Sequence, residues 1–186
     1  MRIISGFFKG KKILLPKDNK TRPLRDLVKE SIFNLISHSK KINCLIDNSN
    51  ILDLFSGTGS FGLECISRNS KKVTFLENYS EVLQILKKNI NSLNVGNKCE
   101  IIEKDCFELL KENLFFNKKF DIIFMDPPYK ETRINLIINL ILEKKILNND
   151  GVLIIHRHKN DNTNISTQLN ILDQRTYGIS KIIIGN

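Results

Sequence analysis

Short apolar runs and longer amphipathic stretches alternate between residues 50 and 155, and that alternation leaves this chain few architectures to choose from. Residues 51–55, 72–76, 100–103, 120–125 and 152–155 have the length and side chains of strands, and 120–125 has the character of a fully buried one. Between them, residues 61–68, 82–93, 107–115 and 134–147 place apolar side chains at helical spacing. Strands separated by helices run parallel, and a parallel sheet needs helices on both faces. The rhythm breaks near the end. Residues 159–167 are polar and too short for a crossover helix, whereas 169–172 and 179–184 are strand-like on either side of Tyr177-Gly178. They are expected to form a closing antiparallel pair at one sheet edge.

The first 40 residues stand outside this pattern and form an N-terminal appendage to a single compact domain over 41–186. Residues 1–20 have the pattern of a short basic hairpin: Ile3, Ile4, Phe7 and Phe8, then Lys9-Gly10-Lys11-Lys12, then Ile13-Leu14-Leu15-Pro16. Thr21 is placed to cap a helix whose first turn holds Pro23. Leu27, Val28, Ile32, Phe33, Leu35 and Ile36 would give that helix its apolar stripe, with Arg22, Arg25 and Lys29 projecting outward.

Chemistry concentrates at two turns. The first is Asp53-Leu54-Phe55-Ser56-Gly57-Thr58-Gly59-Ser60-Phe61-Gly62, which leaves a strand and enters a helix. Its glycines open backbone angles closed to other residues and let a ligand approach the main chain. Gly57, Gly59 and Gly62 also fit the dinucleotide pattern G-x-G-x-x-G, and Glu77 ends the next strand 20 residues after Gly57, where a ribose-binding acid belongs. A nicotinamide cofactor is thus the formal competitor. Asp53 favours S-adenosylmethionine instead, because a carboxylate suits that molecule's cationic amino-acid end and opposes a pyrophosphate. Asp105, after the third strand, can accept from an adenine amino group or cap the helix that follows, and the two roles are compatible. The candidate cofactor residues are Asp53, Phe55, Ser56, Gly57, Thr58, Gly59, Glu77, Asp105 and Cys106.

The second turn is Asp126-Pro127-Pro128-Tyr129, directly after the apolar 120–125 run and therefore at the carboxyl edge of the sheet, where open α/β folds bind ligands. All four are candidate catalytic residues. A base's exocyclic amine is a poor nucleophile because its lone pair is delocalised into the ring. Asp126 and the Pro127 carbonyl can each accept one of its N–H bonds, favouring a pyramidal nitrogen, while the carboxylate stabilises the charge that builds there. The prolines fix the backbone and remove competing donors. Tyr129 can stack on an extruded base, a contact worth roughly 1–3 kcal/mol.

Composition adds a bias in the same direction. The net charge of +9, from 29 basic and 20 acidic residues, favours a polyanionic partner. Cys44, Cys65, Cys99 and Cys106 are scattered without a C-x-x-C pair, and Cys65 and Cys106 have the surroundings of packed thiols. His156 and His158 share one face of a strand without further ligands nearby, so no metal is expected. The opening Met-Arg-Ile-Ile-Ser-Gly lacks the apolar stretch of a signal peptide, and no segment approaches the roughly 20 apolar residues of a membrane span. A cytoplasmic protein is expected.

Several blocks together resemble the RsmD-type family. These are Met1-Arg2-Ile3-Ile4-Ser5-Gly6, Lys9-Gly10-Lys11, and Thr21-Arg22-Pro23 with Asp26, Glu30, Phe33 and Asn34; the glycine turn with Gly62-Leu63-Glu64; Asp126-Pro127-Pro128-Tyr129; and Arg175-x-Tyr177-Gly178 with Lys181. The resemblance implies a Rossmann-like seven-stranded methyltransferase fold that uses S-adenosylmethionine to methylate guanine N2 of small-subunit ribosomal RNA, within an assembling subunit. It implies RNA contacts from Lys9, Lys11 and Lys12, and an RNA-facing or cofactor-covering role for Arg22, Arg25 and Lys29. Two departures stand out. Tyr129 replaces the Phe of some relatives, which leaves stacking intact. Ile155-His156-Arg157-His158-Lys159 replaces an acidic stretch, and this basic run is expected to alter local RNA contacts while leaving the methyl-transfer machinery untouched.

Overall fold

The computed structural model describes residues 1–16, 24–112 and 118–186. Seven strands form one sheet: β1 (Asn50–Leu54), β2 (Lys72–Leu76), β3 (Cys99–Ile102), β4 (Phe120–Met125), β5 (Leu147–His158), β6 (Ile171–Tyr177) and β7 (Ser180–Gly185). Their spatial order is β3-β2-β1-β4-β5-β7-β6. The first five run parallel, and β7 lies antiparallel between β5 and β6. Among the described residues five α-helices accompany them: α1 (Asp26–His38), α2 (Ser60–Ser67), α3 (Ser80–Ser92), α4 (Cys106–Lys111) and α5 (Ile134–Glu143).

Alternation along the strands divides the apolar interior between the two faces. Ile122 and Phe124 of β4, with Ile51 and Phe75, pack with α1, α2 and α3, whereas Ile123 and Met125, with Leu52 and Leu54, pack with α4 and α5. On the first face a file of stacked rings, Phe33 on Phe61 on Phe124, has centroids 5.3 and 4.1 Å apart and joins α1 through α2 to β4.

The N-terminal segment turns back on itself as expected, although among its described residues, 1–16, only Arg2 and Lys12 form a β-bridge; residues 17–20 of the expected hairpin lie outside them. Much of its backbone is satisfied by α2 and α3. Glu64 accepts from the amides of Ile4 (2.7 Å) and Ser5 (2.9 Å), and the Phe7 amide reaches the Ser67 carbonyl at 2.7 Å. Gly6 sits at φ +79°, where an added Cβ would lie 1.9 Å from the Ser67 carbonyl oxygen. Asn89 of α3 bonds both the amide and the carbonyl of Leu14.

Helix α1 turns out differently from the expected stripe. Leu27 is 65% exposed, while Lys29 is fully buried. Glu64 is the reason. Its carboxylate is also fully buried, and beyond the two amides it draws on Arg68 (2.9 Å) and Lys29 (3.6 Å). A charge removed from water requires such partners. Lys29 further donates to the Arg2 carbonyl at 2.7 Å. It binds the appendage to the domain and is no RNA contact. The expected Thr21 cap, Pro23 and Arg22 lie outside the described residues, as does the end of the expected 107–115 helix.

Candidate active site

At the carboxyl edge of β1, β2 and β4 a cavity of about 800 Å³ receives both turns read from the sequence. Asp53, Phe55, Ser56, Gly57, Thr58, Glu77, Asp105, Asp126, Pro127, Pro128 and Tyr129 all line it, and so does Arg25. Gly59 and Cys106 do not. Gly59 holds φ +81°, and an added Cβ would meet Leu86 at 2.5 Å, so the residue shapes the turn from behind. The Cys106 side chain is buried in the core beneath α4.

The glycine-turn side of the cavity is built by its own backbone. Gly57 at φ +54°, Gly59, and Phe55 at φ +59° bend the chain from β1 into α2. Glu77 closes the turn, with one carboxylate oxygen accepting from Gly57 N at 2.8 Å and the other from the amides of Asn78 and Tyr79. Asp53 is almost wholly buried and accepts from Gly62 N at 3.0 Å. Burial pushes its carboxyl well above the usual range; the Gly62 amide opposes this, and the neighbouring charges of Asp126 and Glu77 reinforce it. A cation in the cavity would relieve that repulsion, whereas a pyrophosphate would add to it. Asp105 caps α4 through Oδ1, accepting from Phe107 N and Glu108 N, while Oδ2 meets the Asn78 amide at 3.3 Å. The cap is therefore real, and Oδ2, which accepts one bond from Asn78, keeps a lone pair for a further donor.

The 126–131 turn is held from a distance. Arg157 of β5 is buried and donates to the carbonyls of Pro128, Tyr129 and Glu131, each at 3.1 Å. The Pro127 carbonyl is not among its acceptors. The guanidinium is itself paired with Asp161. Burial works against the Asp161 charge, but hydrogen bonds from Thr163 and Arg157 outweigh it and hold the carboxyl down at about 2. His156 reaches Asp126 Oδ1 through Nδ1 at 2.8 Å and Ser180 Oγ through Nε2 at 2.9 Å. The Tyr129 ring stands edge-on to His158, centroids 5.1 Å apart.

These contacts correct the reading of the basic 155–159 run. His156 and Arg157 are both buried, and they bond to the 126–131 turn that this run was expected to leave untouched. Sequence reasoning missed their role and that of Ser180. The available signal was the unbroken apolar run at 152–155, the mark of a strand buried on both faces that residues 156 and 157 continue. Lys9, Lys11 and Lys12 lie exposed on the N-terminal turn, away from the cavity lining.

A family model described as conserved hypothetical protein 95 matches residues 1–186. A putative rRNA methyltransferase, YlbH, of Bacillus subtilis is 31% identical over 185 residues, covering 99% of this chain and 97% of that protein. The ribosomal RNA small subunit methyltransferase D of Buchnera aphidicola is 38% identical over 157 residues, 84% of this chain and 78% of that one. A crystal structure of a putative methylase from Haemophilus influenzae superposes with a TM-score of 0.78 at 32% identity, covering 99% of this chain and 96% of the other.

Proposed function

The chain belongs to the conserved hypothetical protein 95 family, which takes in the ribosomal RNA small subunit methyltransferases D, and we propose that it transfers a methyl group from S-adenosylmethionine to the exocyclic N2 of a guanine in small-subunit ribosomal RNA. The observation that carries this reading is one cavity, lined on one side by the Asp53–Glu77 acids and the glycine turn and on the other by Asp126 and Tyr129.

S-adenosylmethionine, when bound, supplies a methyl group on a sulfonium. Asp53 would hold its cationic amino-acid end, Glu77 its ribose hydroxyls, and Asp105 its adenine amino group. The remaining work falls to residues of the chain. Asp126 and the Pro127 carbonyl accept the two amine N–H bonds and free the nitrogen lone pair. Arg157 occupies the Pro128, Tyr129 and Glu131 carbonyls, so the turn keeps its shape while the base enters. Tyr129 offers its ring to the flipped base. Lys9, Lys11 and Lys12 supply phosphate contacts beyond the cavity. On this reading the protein works in the cytoplasm on an assembling small subunit.

The test is nucleoside mass spectrometry of small-subunit RNA, naked and partly assembled, after incubation with the protein and a methyl-deuterated cofactor. Labelled N2-methylguanosine is expected. Labelled N6-methyladenosine would move the activity to adenine, and binding of the particle without label on any base would leave a non-catalytic assembly factor.

A further inference from the structure

Strand register brings three side chains into line beside the cavity. Met125 pairs with Ile155 in the parallel β4–β5 ladder, so Asp126 and His156 are the next residues along each strand. His156 faces Ile182 across the antiparallel β5–β7 ladder, two residues from Ser180 on the same face. The result is a hydrogen-bonded row, Ser180 Oγ to His156 Nε2 at 2.9 Å and His156 Nδ1 to Asp126 Oδ1 at 2.8 Å. All three residues line the cavity; His156 and Ser180 are buried, and the Asp126 side chain keeps 21% exposure.

The donors and acceptors assign themselves. A carboxylate only accepts, so Nδ1 carries the hydrogen. In the neutral ring Nε2 then accepts, and the Ser180 hydroxyl donates to it. Each polar atom of the imidazole is satisfied, which fixes the tautomer and the ring plane together.

We propose that His156, oriented by Ser180, is a positioning residue for methyl transfer: its Nδ1–H occupies Asp126 Oδ1 and fixes the carboxylate's rotation, reserving Oδ2 for the amine of the target base. In this role the imidazole acts through the Asp126 carboxylate. An unrestrained carboxylate rotates about its last bond and offers either oxygen. Held at Oδ1, it presents a single acceptor in one direction, and preorganised acceptors are what stabilise a developing charge. The inference rests on amine methylation as the reaction and adds the device that aims the acceptor.

The experiment compares wild type with His156→Ala, His156→Asn, His156→Gln and Ser180→Ala, measuring kcat and KM on the RNA substrate and S-adenosylhomocysteine affinity by calorimetry. The asparagine amide can replace the Nδ1–H donor, whereas the glutamine amide falls at the Nε2 position. His156→Ala should lower kcat roughly tenfold or more, the scale on which outer-shell partners act, with KM and cofactor affinity unchanged within about twofold. His156→Asn should recover most of that loss, His156→Gln should not, and Ser180→Ala should show a smaller fall in kcat alone. Unchanged kcat in His156→Ala overturns the proposal. So does His156→Asn performing no better than His156→Gln, or a parallel loss of cofactor affinity in every variant including His156→Asn, which marks a purely structural histidine. Wild-type enzyme yielding no N-methylated base would instead defeat the amine-methylation reading itself.

Discussion

The two turns that meet in the cavity are held in opposite ways. The glycine turn is shaped from within, by positive φ at Phe55, Gly57 and Gly59 and by Glu77 at the end of the adjacent strand. The 126–131 turn has two prolines and one internal bond, from Glu131 N to the Pro128 carbonyl, and takes the rest of its rigidity from afar. Its carbonyls are fixed by Arg157 and its carboxylate by His156, 26 to 30 residues further along the chain. A turn that encodes its own backbone shows up as a motif. One that borrows its rigidity shows only its reactive residues, and the clamp passes for an ordinary strand end.

The sharpest break falls on the second turn. Asp126→Ala should cut kcat on the order of 10²- to 10³-fold, the scale of losing one aligned electrostatic partner, while calorimetry finds cofactor affinity nearly intact. Arg157→Met attacks the same turn through its clamp. It strands Asp161 and frees three carbonyls, so denaturant melts should show a loss of about 3 kcal/mol, with kcat falling alongside. The pH dependence follows from Asp161. Its folded-state carboxyl lies near 2, below the ordinary carboxylate value, so its contribution to stability is complete above that ordinary value and disappears as pH falls from about 4 to about 2. Acid titration of stability should show that loss in wild type and a smaller one in Arg157→Met.

On the glycine turn, Gly59→Ala meets both a left-handed backbone and Leu86, and should cost about 2 kcal/mol by thermal melt. Cofactor affinity should fall with it, the reverse of the pattern for Asp126→Ala. The smallest effects belong to the N-terminal turn. Single Lys9, Lys11 or Lys12 to Gln changes should weaken RNA binding modestly, each lowering the salt slope by about one. Lys29→Met should leave that slope unchanged and destabilise the fold instead.

The same distinction explains how much of the molecule was legible in the sequence. β2 and β4 fall on the residues expected because their apolar runs are bounded sharply. β5 starts at Leu147 rather than 152, since Asn148, Asn149 and Asp150 hide a strand end whose Leu147 pairs with Phe120. β6 was expected over 169–172 but runs over Ile171–Tyr177, because an edge strand carrying Asp173, Gln174 and Arg175 has no buried face to create alternation. Lys29 was misread although Ile32 and Phe33, three and four residues on, place it within the buried stripe. Asp53, Glu77 and Asp126 were legible because each stands at or next to a strand end along one edge of the sheet. His156, Arg157 and Ser180 were not, because their partners are set by register between distant segments.

The position of β7 bears on the order of events during synthesis. It is the last of the seven strands to be made, yet it is inserted between β5 and β6 and brings Ser180 to the imidazole. A nascent chain can assemble the glycine turn and the first five strands while translation continues, but the row that aims Asp126 has to wait for β7. The chain therefore acquires its cofactor-side geometry before its fully aligned acceptor, so a half-made copy is a poor catalyst by construction.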